Sequence, residues 1–500
     1  MMKFRRGAGC SVFSKGFTTK FRLITITYMI RRALVKTFSY FRAFETMMGP
    51  KLSSKSSLCI YILVFLSLLF QPLKARAKDL GNNTDFVHWV SRGDSLNRIA
   101  RQYLPLTDAI TIGELVREIR QLNGIHDSLI HPRQPLLIPL SRSTPVKATT
   151  VPKQPDFEAR GIYINRFSMA CQKMTRLLDM LIVSGGNTVI LDGKDMSGRL
   201  SYPSRVALAN EIGADASPVI NDPAKLFHYL HQKGLHVSVR LVLFYDPLLA
   251  AKKPEVALQA IGTENQQTEI GKLEWVDPHQ EVVQEYNLDI AKELAEMGVD
   301  EIQFDYIRFP TEKIFQNANC SLDEQGIPRY EIIADFLARA RKALAPYKVL
   351  LSVDVFGIVA WGRLEDIRIT GQKIEELAKH CDVICPMIYP SHFYSPFQGI
   401  PNPGSQPFLL ISETCKRFSS FLKDTKVTLR PWIQAFPYGA KNFDEEYILE
   451  ELHALDQSNS CGWMLWSAGN AYDVAWKALD RWNKRSLEGI TASSKFLRYY

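Results

Sequence analysis

Five hundred residues leave room for one large domain and a smaller companion, and apolar and charged fractions of 46% and 23% are ordinary for globular protein. The net charge of +9 is suggestive of nucleic acid, but residues 1–77 hold 14 Lys and Arg against a single acid, Glu45, a net of +13. The rest of the chain therefore carries −4 of the +9 total, which excludes the basic footprint of a nucleic-acid binder.

Residues 1–77 read as a targeting region. The basic stretch "KLSSK" precedes an apolar stretch of 13 residues, Leu58 to Phe70, too short to cross a bilayer comfortably, and Ala75 and Ala77 form an A-x-A cleavage site. The reading is an exported protein, secreted or held in the cell envelope, with its signal peptide cleaved near Ala77 and no membrane span afterwards; a retained anchor is the alternative. Translation is expected to start at Met47 or Met48, because the residues ahead of them are too many for an ordinary basic flank.

The segment 86–140 opens with "FVHWV", turns at Gly93-Asp94, and continues with Leu96, Ile99, Ala100 and Tyr103 at helical spacing behind Ser95 as a cap. A second helix, "TIGELVREIRQLN", leads to a closing strand, "LIHPRQPLLIP". This βααβ order resembles the LysM family. Val90, Gly93, Asp94, Ser95, Leu96, Asn123, Ile130, Pro132, Gln134, Leu136, Ile138 and Pro139 carry the resemblance, and Arg133 departs from it where the family prefers glycine. The resemblance implies a glycan-binding module for peptidoglycan or a chitin-like glycan, with Gly93, Asp94, Ser95 and Asn123 as its marker positions. Residues 141–157, rich in Ser, Thr and Pro, read as a semi-extended linker.

From 158 to 485 strand and helix signals alternate. The strands are "GIYIN", "TVILD", "HVSVRLVLF", "EIQFDYI", "VLLSVDVFG", "VICPMIY", "LRPWIQAF" and "GWMLWSAG", separated by helical stretches of which several end in glycine. Eight β/α repeats predict an α/β fold, a (β/α)8 TIM barrel, with its site at the C-terminal strand ends. An open doubly wound sheet would need a Gly-rich phosphate loop after the first strand, and "NRFSMAC" is not one.

Strand parity then selects what faces inward. Tyr163, Asp192, Arg240, Gln303, Asp305, Ser352, Asp354, Tyr389, Trp432, Gln434 and Trp466 converge on one end, with Lys194, Asp195 and Arg308 just beyond strand ends. Acids, arginines and rings together suit a sugar, which offers hydroxyls to charged groups and C–H faces to aromatic rings. Asp305 and Asp354 end adjacent strands, the arrangement that glycosidic cleavage by two carboxyl groups requires, and are the catalytic candidates. Asp305 is expected to be nucleophile or base, kept ionised by Arg240 or Arg308. Asp354 is expected to be the acid, raised by its apolar neighbours Val353, Val355 and Phe356. Asp192, Asp195, Tyr163, Arg240, Arg308, Tyr389, Trp432, Gln434 and Trp466 are assigned to substrate binding. The alternative for each acid is a structural ion pair.

"LDGKDMSGRLSYPS", "LVLFYDPLLAAKKPE", "WVDP", "DEIQFDYIRFP", "SVDVFG", "PMIYPSHF", "RPWIQAF" and "LWSAGN" resemble a barrel family described as a glycosyl hydrolase domain of unknown function. The resemblance covers roughly 158–480 and implies a TIM barrel with glycosidase chemistry on a polysaccharide substrate; Met196 and Ala435 stand where the family pattern has acids. Chitinase-type substrate assistance is disfavoured, because aligning Asp305 with the last aspartate of D-x-x-D-x-D-x-E puts Gln303 at the middle aspartate and Ile307 at the glutamate. A glycan-binding barrel without catalysis is the rival reading. No cofactor is implied and no zinc-type spacing occurs, although an Asp-rich mouth could hold Ca²⁺. The six cysteines beyond residue 77 are read as buried free thiols.

Overall fold

The computed structural model describes residues 86–496 except 128, 150–156, 259–273 and 313–325, with side chains described through 484. The targeting region, its cleavage site and Cys320 lie outside the described residues. Cys171, Cys381, Cys385 and Cys415 are free thiols, as read from the sequence, although Cys171 is exposed rather than buried.

The small module is βααβ. Strands β1 (Phe86–Trp89) and β2 (Pro135–Ile138) pair antiparallel, Phe86 opposite Ile138. Helices Leu96–Tyr103 and Ile112–Leu122 pack Leu96, Ile99, Leu115 and Ile119 onto Leu136 and Ile138. Both helices start on a side-chain cap, Ser95 accepting from Arg98 N and Thr111 from Glu114 N, and the Glu114 carboxylate in turn accepts from Ile110 N just ahead of the cap. Asn123 closes the module. Its amide donates to Leu137 O at 2.9 Å and accepts from Leu137 N at 2.8 Å, fastening the second helix to β2. Arg133 sits at φ +68°, the left-handed region, which explains the preference for glycine there.

Eight parallel staves make the large domain: β3 (Ala159–Ile164), β4 (Thr188–Lys194), β5 (His236–Val242), β6 (Glu301–Asp305), β7 (Leu350–Phe356), β8 (Val383–Ile388), a broken stave of β9 (Thr428–Leu429) and β10 (Trp432–Gln434), and β11 (Gly462–Trp466). They pair in chain order, β11 pairs with β3, and the broken stave contacts both β8 and β11, so the sheet closes into a barrel. Helices Lys173–Val183, Pro223–Gln232, Glu281–Glu296, Arg329–Leu344, Pro407–Leu422 and Glu445–Asp456 lie between successive staves, and Asp473–Phe496 follows the last. The break in the seventh stave falls at Pro431, which has no N–H to give a ladder.

Parity divides the barrel as the sequence indicates. Ile162, Val189, Val239, Ile302, Val353 and Val355 join the layer between strands and helices, whereas Tyr163, Ile190, Cys385, Tyr389, Trp432 and Met464 fill the interior. Ile307, the position that would be the chitinase glutamate, is in the outer layer and fully buried.

The two modules are docked. Ile110, from the turn between the small module's helices, is buried as part of the barrel's own apolar core. Lys225, in the first turn of Pro223–Gln232, points its ammonium at the carbonyls of Leu104, at 2.7 Å, and Ala109.

Candidate active site

At the C-terminal ends of the staves the inward side chains form a connected line. Tyr163 on β3 donates its hydroxyl to Asp192 Oδ2 at 2.6 Å. Asp192, ending the regular part of β4, takes Arg240 Nη1 on its other oxygen at 2.7 Å. From β5, Arg240 reaches Asp305 on β6 with Nε at 2.8 Å and Nη2 at 2.7 Å, both on Oδ2. Asp305 Oδ1 accepts the amide of Tyr306 at 2.6 Å. Asp354 follows on β7 and accepts Trp432 Nε1 from β10 at 2.8 Å. All of these carboxyls are buried.

Rings close the other side. Tyr163 and Trp466 stack at 4.2 Å, Trp432 stands edge-on to Trp466 at 5.5 Å, and the Arg240 guanidinium lies 5.2 Å from the Trp466 ring centre. Tyr389 contributes to the same interior cluster and packs edge-on against Phe436 and His392.

The electrostatics are asymmetric because the site has one bridging cation. Burial pushes Asp354 well above the usual carboxylate range; the neighbouring Asp305 charge adds to this, and the Trp432 hydrogen bond opposes it only in part. Asp354 is thereby the member of the pair inclined to hold a proton. Its apolar sequence neighbours are not the cause: Val353 and Val355 face the helices on the opposite side of β7, and the shift comes from enclosure in the barrel and from Asp305. Burial also raises Asp192, against the pull of Arg240 and the Tyr163 hydroxyl, and drives the Tyr163 and Tyr389 phenols upward. The two carboxylates hold Arg240 protonated despite its burial.

The backbone is strained where the chemistry would be. Tyr306, directly after Asp305, has φ +51°, an uncommon conformation for a residue with a large side chain. That turn aims its amide at the Asp305 carboxylate and leads the chain to Arg308.

Three expected binding residues have other contacts within the protein. Asp195 ties its own turn, accepting from Ser197 N at 2.9 Å and Ser197 Oγ at 2.5 Å, with Arg166 Nε 4.0 Å away. Gln434 braces two loops, donating to Phe436 O and Tyr438 O and accepting from Ser391 N. Arg308 does not pair with Asp305; it lies among Trp275, Tyr306 and Phe356 and donates to Phe309 O. In the small module, Asp94 accepts from Ser91 N at 2.8 Å and meets His88 Nε2 at 3.2 Å, while Ser95 is a helix cap and Asn123 a clasp. Asp94 and Ser95 thus hold the turn and the helix start, Gly93 takes φ +91° in that turn, and Asn123 joins helix to strand.

Glu301 escaped the sequence reading, and Lys194 was named there without a partner. At the opposite end of the barrel Glu301 binds Arg430 Nη1 at 2.7 Å, Ser352 Oγ at 2.6 Å and His236 Nε2 at 3.2 Å. Despite burial these partners, Arg430 foremost, hold Glu301 below the ordinary carboxylate range. Parity would have found it, since Glu301 shares a face with Gln303 and Asp305. Lys194 is fully buried beyond the bulge in β4, bonded to Asp246 at 2.9 Å and Asn287 at 2.7 Å. Among the described residues no cluster of three or more His, Cys, Asp or Glu has the arrangement of a metal site.

A closed (β/α)8 barrel with carboxyls, an arginine and stacked rings at the C-terminal strand ends has the layout of a carbohydrate-active domain. Residues 161–472 match the family described as "Putative glycosyl hydrolase domain", and the chain belongs to that family. Residues 88–139 match the LysM domain. Among solved structures the chain is similar to a hypothetical protein from Ruminiclostridium thermocellum, 34% identical over 39% of this chain and 97% of that one, TM-score 0.33. It is also similar to the PgaB (BpsB) glycoside hydrolase domain from Bordetella bronchiseptica, 13% identical over 62% and 94%, TM-score 0.42. The spore cortex-lytic enzyme SleL of Bacillus cereus is 13% identical over 79% and 85%, TM-score 0.39. No curated protein matches.

Proposed function

We propose that the protein is an exported glycoside hydrolase that cleaves a cell-wall or extracellular polysaccharide with Asp305 and Asp354 as its paired carboxyl groups. The observation that carries this reading is the unequal pair: Asp305 is salt-bridged to Arg240, whereas Asp354 has no cation of its own and is raised by burial beside Asp305. Such a division is what glycosidic cleavage needs. Asp354 gives its proton to the leaving glycosidic oxygen as the C–O bond breaks. Asp305 either attacks the anomeric carbon or takes a proton from the water that does. Trp466, half-buried and backed by Tyr163, offers a ring to the sugar, and Arg240 holds Asp192 and Asp305 in register. The LysM module would keep the enzyme on peptidoglycan or a chitin-like glycan, consistent with a product secreted or retained in the envelope. No helix among the described residues is long and apolar enough to cross a membrane.

One observation favours the rival, a barrel that binds glycan without cutting it. Both oxygens of Asp305 are engaged, Oδ1 by the Tyr306 amide and Oδ2 twice by Arg240. Incubating the mature protein with peptidoglycan, chitin and acidic or amino-sugar polysaccharides decides between them. New reducing ends, lost in Asp354→Asn, are the expected result, and proton NMR of the first product gives retention or inversion. Retention on glycan with no new reducing ends in any substrate would establish the scaffold.

A further inference from the structure

Arg308 is the unusual charge in this barrel. The two other large buried guanidinium groups of the barrel interior each hold a carboxylate within 2.7 Å, Arg240 through Asp192 and Asp305, and Arg430 through Glu301. Arg308 is also buried, at 7% exposure, yet among the described residues no carboxylate lies within 4.0 Å of it. Its hydrogen bond is to the carbonyl of Phe309, from Nη1, at 2.9 Å. Rings surround it instead, with Phe356 at 4.5 Å, Trp275 at 4.7 Å and Tyr306 at 5.1 Å from the guanidinium carbon. A buried charge is ordinarily paired, and ring faces attract a cation without neutralising it.

The position of this charge is as informative as its isolation. Arg308 stands three residues past Asp305, after the strained turn at Tyr306, and Phe356 ends β7 two residues past Asp354. The arginine thus sits where the two candidate catalytic strands end, with the half-buried rings of Tyr306 and Phe356 beside it. Asp305 and Glu312 act on it only at longer range, and burial dominates, lowering its affinity for a proton. A planar guanidinium presents its N–H groups as a fork that fits a carboxylate, and rings beside it can take the flat face of a sugar.

We propose that Arg308 is a specificity residue that receives a carboxylate carried by a sugar of the substrate, so that the barrel acts on an acidic rather than a neutral polysaccharide. The carboxylate can be that of a uronic acid or that of a lactyl ether on an amino sugar; both present the same group to the fork. The inference rests on the proposed binding of sugar at the barrel mouth, and it is independent of whether the bond is then cut.

Binding is measured by calorimetry on the full mature chain, using Asp354→Asn so that no substrate is consumed. The probes are an oligogalacturonate, the same oligosaccharide with its carboxyls reduced to alcohols, and a muramic-acid-containing glycan strand free of peptide. One of the two acidic probes is expected to bind at least about tenfold more tightly than the reduced one, as for a charge-assisted hydrogen bond. Which acidic probe it is identifies the source of the carboxylate. Adding Arg308→Gln should erase that preference, and Arg308→Lys should restore part of it, since the charge returns without the fork. Equal binding of acidic and reduced probes by the Arg308-containing protein overturns the proposal without any Arg308 variant having to fold. So does a loss in Arg308→Gln that is the same for all probes and tracks a lower Tm. Selective binding with no cleavage by the wild type would defeat the hydrolase reading alone, and cleavage with no acidic preference would defeat this one alone.

Discussion

Replacing Asp354 by Asn tests the proposed acid directly, because the structure assigns the substitution a small structural cost. The Asp354 carboxyl is 2% exposed, has its proton affinity raised by burial, and accepts Trp432 Nε1 through one oxygen. Asn has the same shape, keeps an oxygen for that bond and is neutral, so at acid pH the loss of stability should be about 1 kcal/mol or less. The pH dependence has a definite sign. The folded value of Asp354 is raised above its unfolded value of about 3.9, so the native state holds the proton more tightly and the associated stability is present at low pH. It is lost as pH climbs from about 4 towards the folded value, at about 1.4 kcal/mol per pH unit while only the native state is protonated. Asn has no proton to lose. The stability difference between variant and wild type should therefore move in the variant's favour across that window, read from urea midpoints at successive pH values.

Turnover should behave in the opposite way. Removing a general acid costs ~10²- to 10⁴-fold in kcat, and the loss should shrink on an aryl glycoside whose leaving group needs little protonation. A stable Asp354→Asn protein with near-normal turnover on the natural polymer would refute the acid assignment. A stability difference that does not change between pH 4 and 8 would refute the neutral, buried carboxyl on which it rests.

Other outcomes follow from the same contacts. Asp305→Asn leaves Arg240 with Asp192 as its remaining carboxylate, so stability should fall by about 2–3 kcal/mol, less than for a wholly stranded buried charge, while activity falls by orders of magnitude. A loss of activity matching only the unfolded fraction would make Asp305 structural. Ile110→Asp places a charge in the barrel's apolar core and should undock the small module, seen as faster proteolysis near residues 141–149 and a lower barrel Tm. An unchanged Tm would mean that the docking contributes nothing. Gly439 has φ +67°, and a Cβ there would come within 2.7 Å of Ser391 Cβ, so Gly439→Val should loosen the loops that Gln434 braces. Lower thermal stability is expected, and a Tm equal to wild type would show that the loops separate without cost. N-terminal sequencing of the exported protein should begin at Lys78, and a product retaining Leu58–Phe70 would indicate an anchor.

The fold was legible because period two and period 3.6 alternate without ambiguity from Arg160 onward. Each stave carries β-branched or aromatic residues on its outer face, as Ile302 and Phe304 do on β6, and each is separated from the next by a helical pattern. The same periodicity placed Asp192, Arg240, Asp305 and Asp354 on the inside of neighbouring staves, where hydrogen bonds join the first three and Asp305 adjoins Asp354. It failed beyond strand ends, since parity has no meaning once the backbone leaves the extended conformation. Asp195 and Arg308 lie past such ends, and the turn at Tyr306 decides where Arg308 points. Partner choice was also hidden. Arg240 and Arg308 are equally plausible mates for Asp305 on spacing, and only the close register of β5 beside β6 selects Arg240.

That selection determines the rest of the site. Val242 lies opposite Asp305 in the β5–β6 ladder, so Arg240, two residues earlier on the same face, can extend toward the carboxyls of both flanking staves. Asp192 is directly opposite Arg240 on the other side. One guanidinium thus satisfies two acids, and the third acid along the rim, Asp354, is left with an indole N–H and the field of Asp305. Four residues on four adjacent staves are enough to create one bridged carboxyl next to one whose proton affinity is raised. A second cation reaching Asp354 would abolish the distinction, and Arg308 is kept from that role by its enclosure among Trp275, Tyr306 and Phe356. The ring cage therefore has two effects on the proposed chemistry: it keeps a second cation from Asp354, and it leaves beside the pair a positive charge with no carboxylate partner among the described residues, free to meet a ligand's anion.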